Sequence, residues 1–118
     1  MAASSPPLCP ARGSPLDVYV LHAYSGAVQF EWDEQKEARN IRVHGVDFGE
    51  ARTAFYDPLA LIRADPEHSQ REARFILMGR STTRRLLVTI FTERGETTRI
   101  ISSRCAAPRE VRDYEKGI

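Results

Sequence analysis

Cysteine is nearly missing from this 118-residue chain: there are two, Cys9 and Cys105, in no CxxC pair and no Cys/His cluster. Neither a disulfide framework nor a zinc site is indicated by that usage. No apolar run approaches the roughly 20 residues that span a bilayer, and the N-terminus lacks a basic stretch leading into an apolar one. The expectation is a cytoplasmic protein with no membrane contact. P-loop, Rossmann glycine, HExxH and GxSxG patterns are all missing, so no cofactor and no metal are expected. Strong net charge is missing too. Seventeen Lys plus Arg against 16 Asp plus Glu leave +1, without the basic excess of a simple nucleic-acid-binding domain.

Lysine is the scarcest of the charged residues, and its place is taken by arginine: all the basic residues except Lys36 and Lys116 are Arg. Arginine offers a planar fork of donors matched to carboxylate and phosphate. The charges are also segregated. Glu31 to Gln70 holds nine acids and five bases, net −4, whereas Arg71 to Arg112 holds four acids and ten arginines, net +6. The second half therefore has the makings of an anion-binding surface on a near-neutral protein. For any single arginine, a solvated strand position is the commoner account.

Residues 1–27 form an appendage. The first 15 contain four of the seven prolines and carry no charge before Arg12, a composition that predicts disorder. Val28 is a residue that a GTG start codon would encode, so the stretch before it is read as an artefact of start-site choice. A domain then runs from 28 to 118. Val28–Trp32 alternates as a strand. Asp33 is a natural N-cap for a helix over Glu34–His44, with Gly45 ending it and Ala38 and Ile41 as a thin apolar stripe. Asp47 opens a second helix, to about Tyr56, with Glu50 at capping-box spacing and Phe48, Ala51 and Phe55 on its inner face. Strands are expected at Leu59–Ala64, Glu72–Gly79, Arg85–Thr92 and Thr97–Arg104, with Arg94-Gly95 as turn chemistry, and a last helix at Arg109–Lys116. The order predicts an α+β fold with helices on one face of an antiparallel sheet of four to five strands.

RNA cleavage without a metal needs a base for the 2′-hydroxyl, cations for the phosphate and an acid for the leaving oxygen. His44 at a helix C-terminus is one candidate for proton transfer, although capping the helix is an equally good role for it. His68 sits in a polar loop. Arg74 alternates with Ile76 and Met78, and Arg99 shares a face with Ile101. Arg104 takes the opposite parity only if its strand stays regular to its end, so alternation does not decide whether it converges with Arg99. Glu72 reads as a base or as the partner of an ion pair.

Phe30-Glu31-Trp32-Asp33, Lys36, Asn40, His44-Gly45-Val46, Phe48, Glu50-Ala51, Phe55 and Asp57-Pro58 together resemble the start of the BrnT family. The match continues through Asp65, His68-Ser69, Glu72, Arg74, Gly79, Leu87-Val88, Thr92-Glu93-Arg94-Gly95, Arg99-Ile100-Ile101-Ser102, Arg104, Ala106, Glu110 and Tyr114. It covers about Gln29 to Glu115. The resemblance implies a RelE-like fold and the toxin of a type II toxin–antitoxin system, a metal-independent endoribonuclease that arrests translation. It implies a BrnA-like ribbon-helix-helix antitoxin, two with two toxins, and operator DNA bound through that antitoxin. Carried over by position are His44, His68, Glu72, Arg74, Arg99 and Arg104, with His44, Glu72, Arg74, Arg99 and Arg104 as the catalytic set; His68 is read as an RNA contact together with Arg80 and Arg42, the latter one position before the residue where the family has its Lys. The family's Lys before His-Gly is Val43 here. That departure implies an alternative, a catalytically weak or inactive homologue acting as an antitoxin-binding co-repressor.

Overall fold

The computed structural model describes residues 29–68 and 71–117; residues 1–28, on which the expected appendage falls, lie outside the described residues. The elements are β1 (Gln29–Glu31), α1 (Glu34–His44), α2 (Phe48–Ala54), β2 (Leu61–Ala64), a 3₁₀ turn (Pro66–His68), β3 (Arg74–Arg80), β4 (Leu86–Arg94), β5 (Thr97–Cys105) and α3 (Pro108–Lys116). The strands form one sheet in the order β1-β5-β4-β3-β2. No helix among the described residues is long and apolar enough to cross a membrane.

Local chemistry sets the helix boundaries. Asp33 Oδ1 accepts from the Gln35 and Lys36 amides at 2.8 and 3.1 Å, and Gly45 closes α1 in the left-handed region at φ 70°. Asp47 caps α2 through the Glu50 amide, but the capping box is not reciprocal. The Glu50 carboxylate turns away to Arg85, Ser81 and Thr83, because a cation is a stronger partner than a backbone amide.

The core lies between α2 and the sheet: Val46, Phe48, Ala51, Ala54 and Phe55 meet Ile62, Phe75, Leu77, Leu87, Phe91 and Ile100. Phe55 and Phe75 both pack on Phe91, with centroids 5.0 and 5.5 Å away. Gly79 allows the closest approach, since a Cβ there would stand 2.6 Å from the Ala54 carbonyl oxygen.

Three expectations are corrected. The sheet is mixed: β2 to β5 are antiparallel neighbours, but β1 pairs parallel with β5, the long excursion through α1 to β4 supplying the crossover that parallel pairing needs. Ala38 and Ile41 do not form the inner face of α1; Ala38 is exposed and Ile41 nearly half so. The helix instead lies along the edge of β5 that β1 leaves open and presents buried Asn40, whose amide nitrogen donates to the Ser103 and Val46 carbonyls at 2.8 Å each. The Asn40 amide oxygen accepts from the Ser103 N–H at 3.1 Å, so one side chain stands in for the missing strand. Finally, α3 does not join the α1/α2 layer but docks at the end of the sheet. The Tyr114 hydroxyl donates to Asp57, and the Arg80 guanidinium lies 5.3 Å from its ring.

Candidate functional site

Strand register decides which arginines share a face. With Phe75, Leu77 and Phe91 in the core, Arg74 and Thr92 face the other way. Arg74 is opposite Thr92, Thr92 opposite Arg99, and Arg99 opposite Glu31, one row across four strands. Arg104 is opposite Val88, an even number of residues from Thr92, and so faces the same side. Alternation left open whether Arg99 and Arg104 converge, and the register decides it by shifting between Ile90 and Phe91: Ile90 opposes Ser102 and Phe91 opposes Ile100. Ile101 is left over as a β-bulge. It therefore has no regular alternation with Arg99.

Around Arg99 the side chains form a charged cluster. Arg99 Nη1 donates to Glu31 Oε2 at 2.9 Å. Arg94 reaches Glu72 from Nε and Nη2 at 3.3 Å each and lies 3.9 Å from the same Glu31 oxygen. Hydrogen bonding by Arg94, with the nearby charges of Arg94, Arg74 and Arg99, holds the Glu72 carboxyl below the usual carboxylate range. The backbone bonds from Lys36 and Gln35 lower Asp33 likewise, with Arg99 adding to the effect. Thr92 is buried beneath this row, its hydroxyl donating to the Ala73 carbonyl. The turn that carries His68 starts beside it, since the Asp65 amide donates to the Arg74 carbonyl.

A second cluster stands at the far end of β5. Four residues of β4 separate the Arg99 and Arg104 rows, about 13 Å. Arg104 makes a two-pronged pair with Glu110 at 2.8 and 2.9 Å, which draws the Glu110 carboxyl down to about 2. Beside it Arg85 Nη2 donates to the Gly45 carbonyl at 3.0 Å and grips Glu50, whose carboxyl is also drawn down to about 2. That bond ties exposed His44, at the end of α1, to this end of the sheet. Arg80, at the last position of β3, lies at the same end of the sheet, its guanidinium over the Tyr114 ring of α3. Between the clusters Ile76, Met78, Val88 and Ile90 form an apolar floor.

The eight sequence-derived residues thus divide. Glu72, Arg74 and Arg99 come together, with the His68 turn beside them; His44, Arg80 and Arg104 lie at the other end, and Arg42 is exposed on the last turn of α1. Val43 is 63% exposed next to His44. Sequence reasoning missed Arg94 and Glu31. Arg94 was absorbed into the turn signal of Arg94-Gly95, although its even spacing from Thr92 places it on the arginine face. Among the described residues no three His, Cys, Asp or Glu side chains gather as metal ligands do.

The crystal structure of the Brucella abortus ribonuclease toxin BrnT is similar to this fold, with 24% identity and a TM-score of 0.52 over 69% of this chain and 99% of that one. No curated protein matches the chain. The family described as the ribonuclease toxin BrnT of type II toxin–antitoxin systems matches residues 32–110, a span from just before α1 to Glu110 that holds both clusters except for Glu31. By that match the chain belongs to the BrnT family of ribonuclease toxins.

Proposed function

We propose that this protein is a metal-independent endoribonuclease toxin whose reacting phosphate sits over the Glu72–Arg74–Arg94–Arg99 cluster. The observation that carries the reading is the row of Arg74 and Arg99 on one open sheet face, with Glu72 held beside it by Arg94. Arginine forks take the non-bridging phosphate oxygens and stabilise the charge that builds on phosphorus. Glu72, ionised at neutral pH, accepts the 2′-hydroxyl proton. The 2′-oxygen bonds to phosphorus as the bond to the 5′-oxygen breaks, and that oxygen takes a proton from water. A 2′,3′-cyclic phosphate and a 5′-hydroxyl result. Arg104, His44, Arg80 and Arg42 hold the chain at the far end, and translation stops as RNA is cut.

The partner we infer is a BrnA-like ribbon-helix-helix antitoxin in a complex of two toxins and two antitoxins that binds operator DNA. An apolar floor between two arginine clusters suits a segment with apolar residues along its middle and carboxylates at its ends. Expression without the antitoxin, in the cytoplasm where its RNA substrates are, is expected to halt growth. Arg99→Ala is expected to relieve the arrest, and equal toxicity of the two would remove Arg99 from the mechanism.

Val43 favours a second reading, a weak or inactive toxin that serves as an antitoxin-binding co-repressor. At 63% exposure beside His44, it leaves an apolar side chain where a cation is expected, and one missing charge-stabilising donor costs about 10² to 10³ in rate. Val43→Lys separates the two. Cleavage that appears only in that variant supports the co-repressor, whereas comparable cleavage by the unaltered protein supports the enzyme.

A further inference from the structure

Every arginine in the Arg99 cluster is close to a carboxylate, and the cluster of Arg74, Arg94 and Arg99 with Glu31, Asp33 and Glu72 sums to zero charge. Phosphate entering a site that is neutral at rest competes with the carboxylates already on its arginines. Glu31 is the residue placed for that exchange. Its Oε2 alone serves both Arg99, at 2.9 Å, and Arg94, at 3.9 Å, presenting to the guanidiniums the kind of oxygen that a phosphate presents. It is 40% exposed and directly opposite Arg99 in register.

The strand does not need this pair to stay in place. β1 is held by its backbone pairing over Thr97 to Arg99, and on the other side Phe30 packs 5.1 Å from Phe55 and 6.2 Å from Tyr56. Glu110 at the opposite end makes the contrast. Besides Arg104, it accepts the Ala107 amide at 2.7 Å and so caps α3. The Glu31 carboxylate has no comparable second duty among the described residues.

We propose that Glu31 is an internal competitor for the phosphate site, holding Arg99 and Arg94 in the free protein and yielding them to RNA. The inference rests on the proposed phosphate site. It makes Glu31 a determinant of affinity, neither a base nor a structural clamp. Substrate binding includes breaking the Glu31 pairs, and removing the carboxylate removes that cost.

The test is the affinity of the full chain for a fully 2′-O-methylated RNA oligonucleotide, which cannot be cleaved because its 2′-oxygens are blocked. Glu31→Gln is expected to tighten binding about two- to tenfold, the range that loss of one exposed pair or two allows. Glu115→Gln on the exposed side of α3 removes the same charge elsewhere and controls for the general field. At about 0.15 M salt, where distant charges are screened within roughly 8 Å, the Glu31 effect is expected to persist and the Glu115 effect to vanish. In an Arg99→Ala background the gain from Glu31→Gln is expected to shrink. If the unaltered protein binds the oligonucleotide and Glu31→Gln binds no better than Glu115→Gln, the competitor role is overturned and the proposed function stands. If none of these proteins binds at low salt, both are overturned.

Discussion

Arg99 and Arg104 stand an odd number of residues apart on β5, yet both face the open side of the sheet, because the bulge at Ile101 restores their parity. They share a face without sharing a site: Arg99 is held by Glu31, and Arg104 by Glu110, about 13 Å farther along. The two arginines are therefore expected to fail differently. Arg99→Ala should lower kcat by about 10² to 10³, the usual loss for one donor to a developing charge. Arg104→Ala should raise KM and reduce the salt dependence of binding while leaving kcat within a few-fold. Steady-state kinetics on a short RNA checks both.

The pH–rate profile distinguishes Glu72 from a histidine as the base. Arg94, Arg74 and Arg99 hold the Glu72 carboxyl below its usual range, so it stays ionised through neutral and mildly acidic solution. Activity that depends on its ionised form should persist as pH falls and fail only below about 4.5, the acid limb moving upward in Arg94→Ala. An acid limb near 6.5 would assign proton transfer to an imidazole instead.

Asn40→Leu should destabilise the fold by about 2–4 kcal/mol, because the Ser103 N–H and two buried carbonyls lose their partner together. Asn40→Asp should also destabilise it, since a carboxylate has no hydrogen to give the Ser103 and Val46 carbonyls. The shift of the urea midpoint at constant slope measures both.

Acid should weaken the protein in a defined window. The folded-state carboxyls of Glu50 and Glu110 are drawn down to about 2 by Arg85 and Arg104, below the ordinary 4.5. Their contribution is present above pH 4.5 and is lost as pH falls toward 2. Partial exposure of both arginines keeps it modest. Glu50→Gln should flatten the loss of stability across that interval, as followed by denaturant unfolding at a series of pH values.

Much of the chain was legible because its signals are local. Asp33 and Gly45 mark both ends of α1, and alternation separates Arg74 and Met78 from Phe75 and Leu77. What escaped depends on pairing. Periodicity assigns a side within an element, but the bulge at Ile101 exists only against β4, and it decides the side of Arg104 that alternation left open. The inner face of α1 is polar for a related reason: what it meets is an unpaired strand edge, which asks for an amide such as Asn40 and not for Ala38 or Ile41. The separation of His44 from Arg99 follows from where α1 crosses β5, and no spacing in the chain encodes it. Arg94 was hidden by a competing signal, as a turn residue whose side chain returns to the sheet.

Metal-independent cleavage at the Arg99 cluster is tested by incubating the purified protein, stripped of any co-purified partner, with a defined RNA in excess chelator and identifying the ends produced. Cleavage undiminished by the chelator and yielding 2′,3′-cyclic phosphate and 5′-hydroxyl ends is expected, with cleavage by Arg99→Ala about 10² to 10³ slower under the same conditions. Cleavage abolished by the chelator, or equally rapid cleavage by Arg99→Ala, would contradict it.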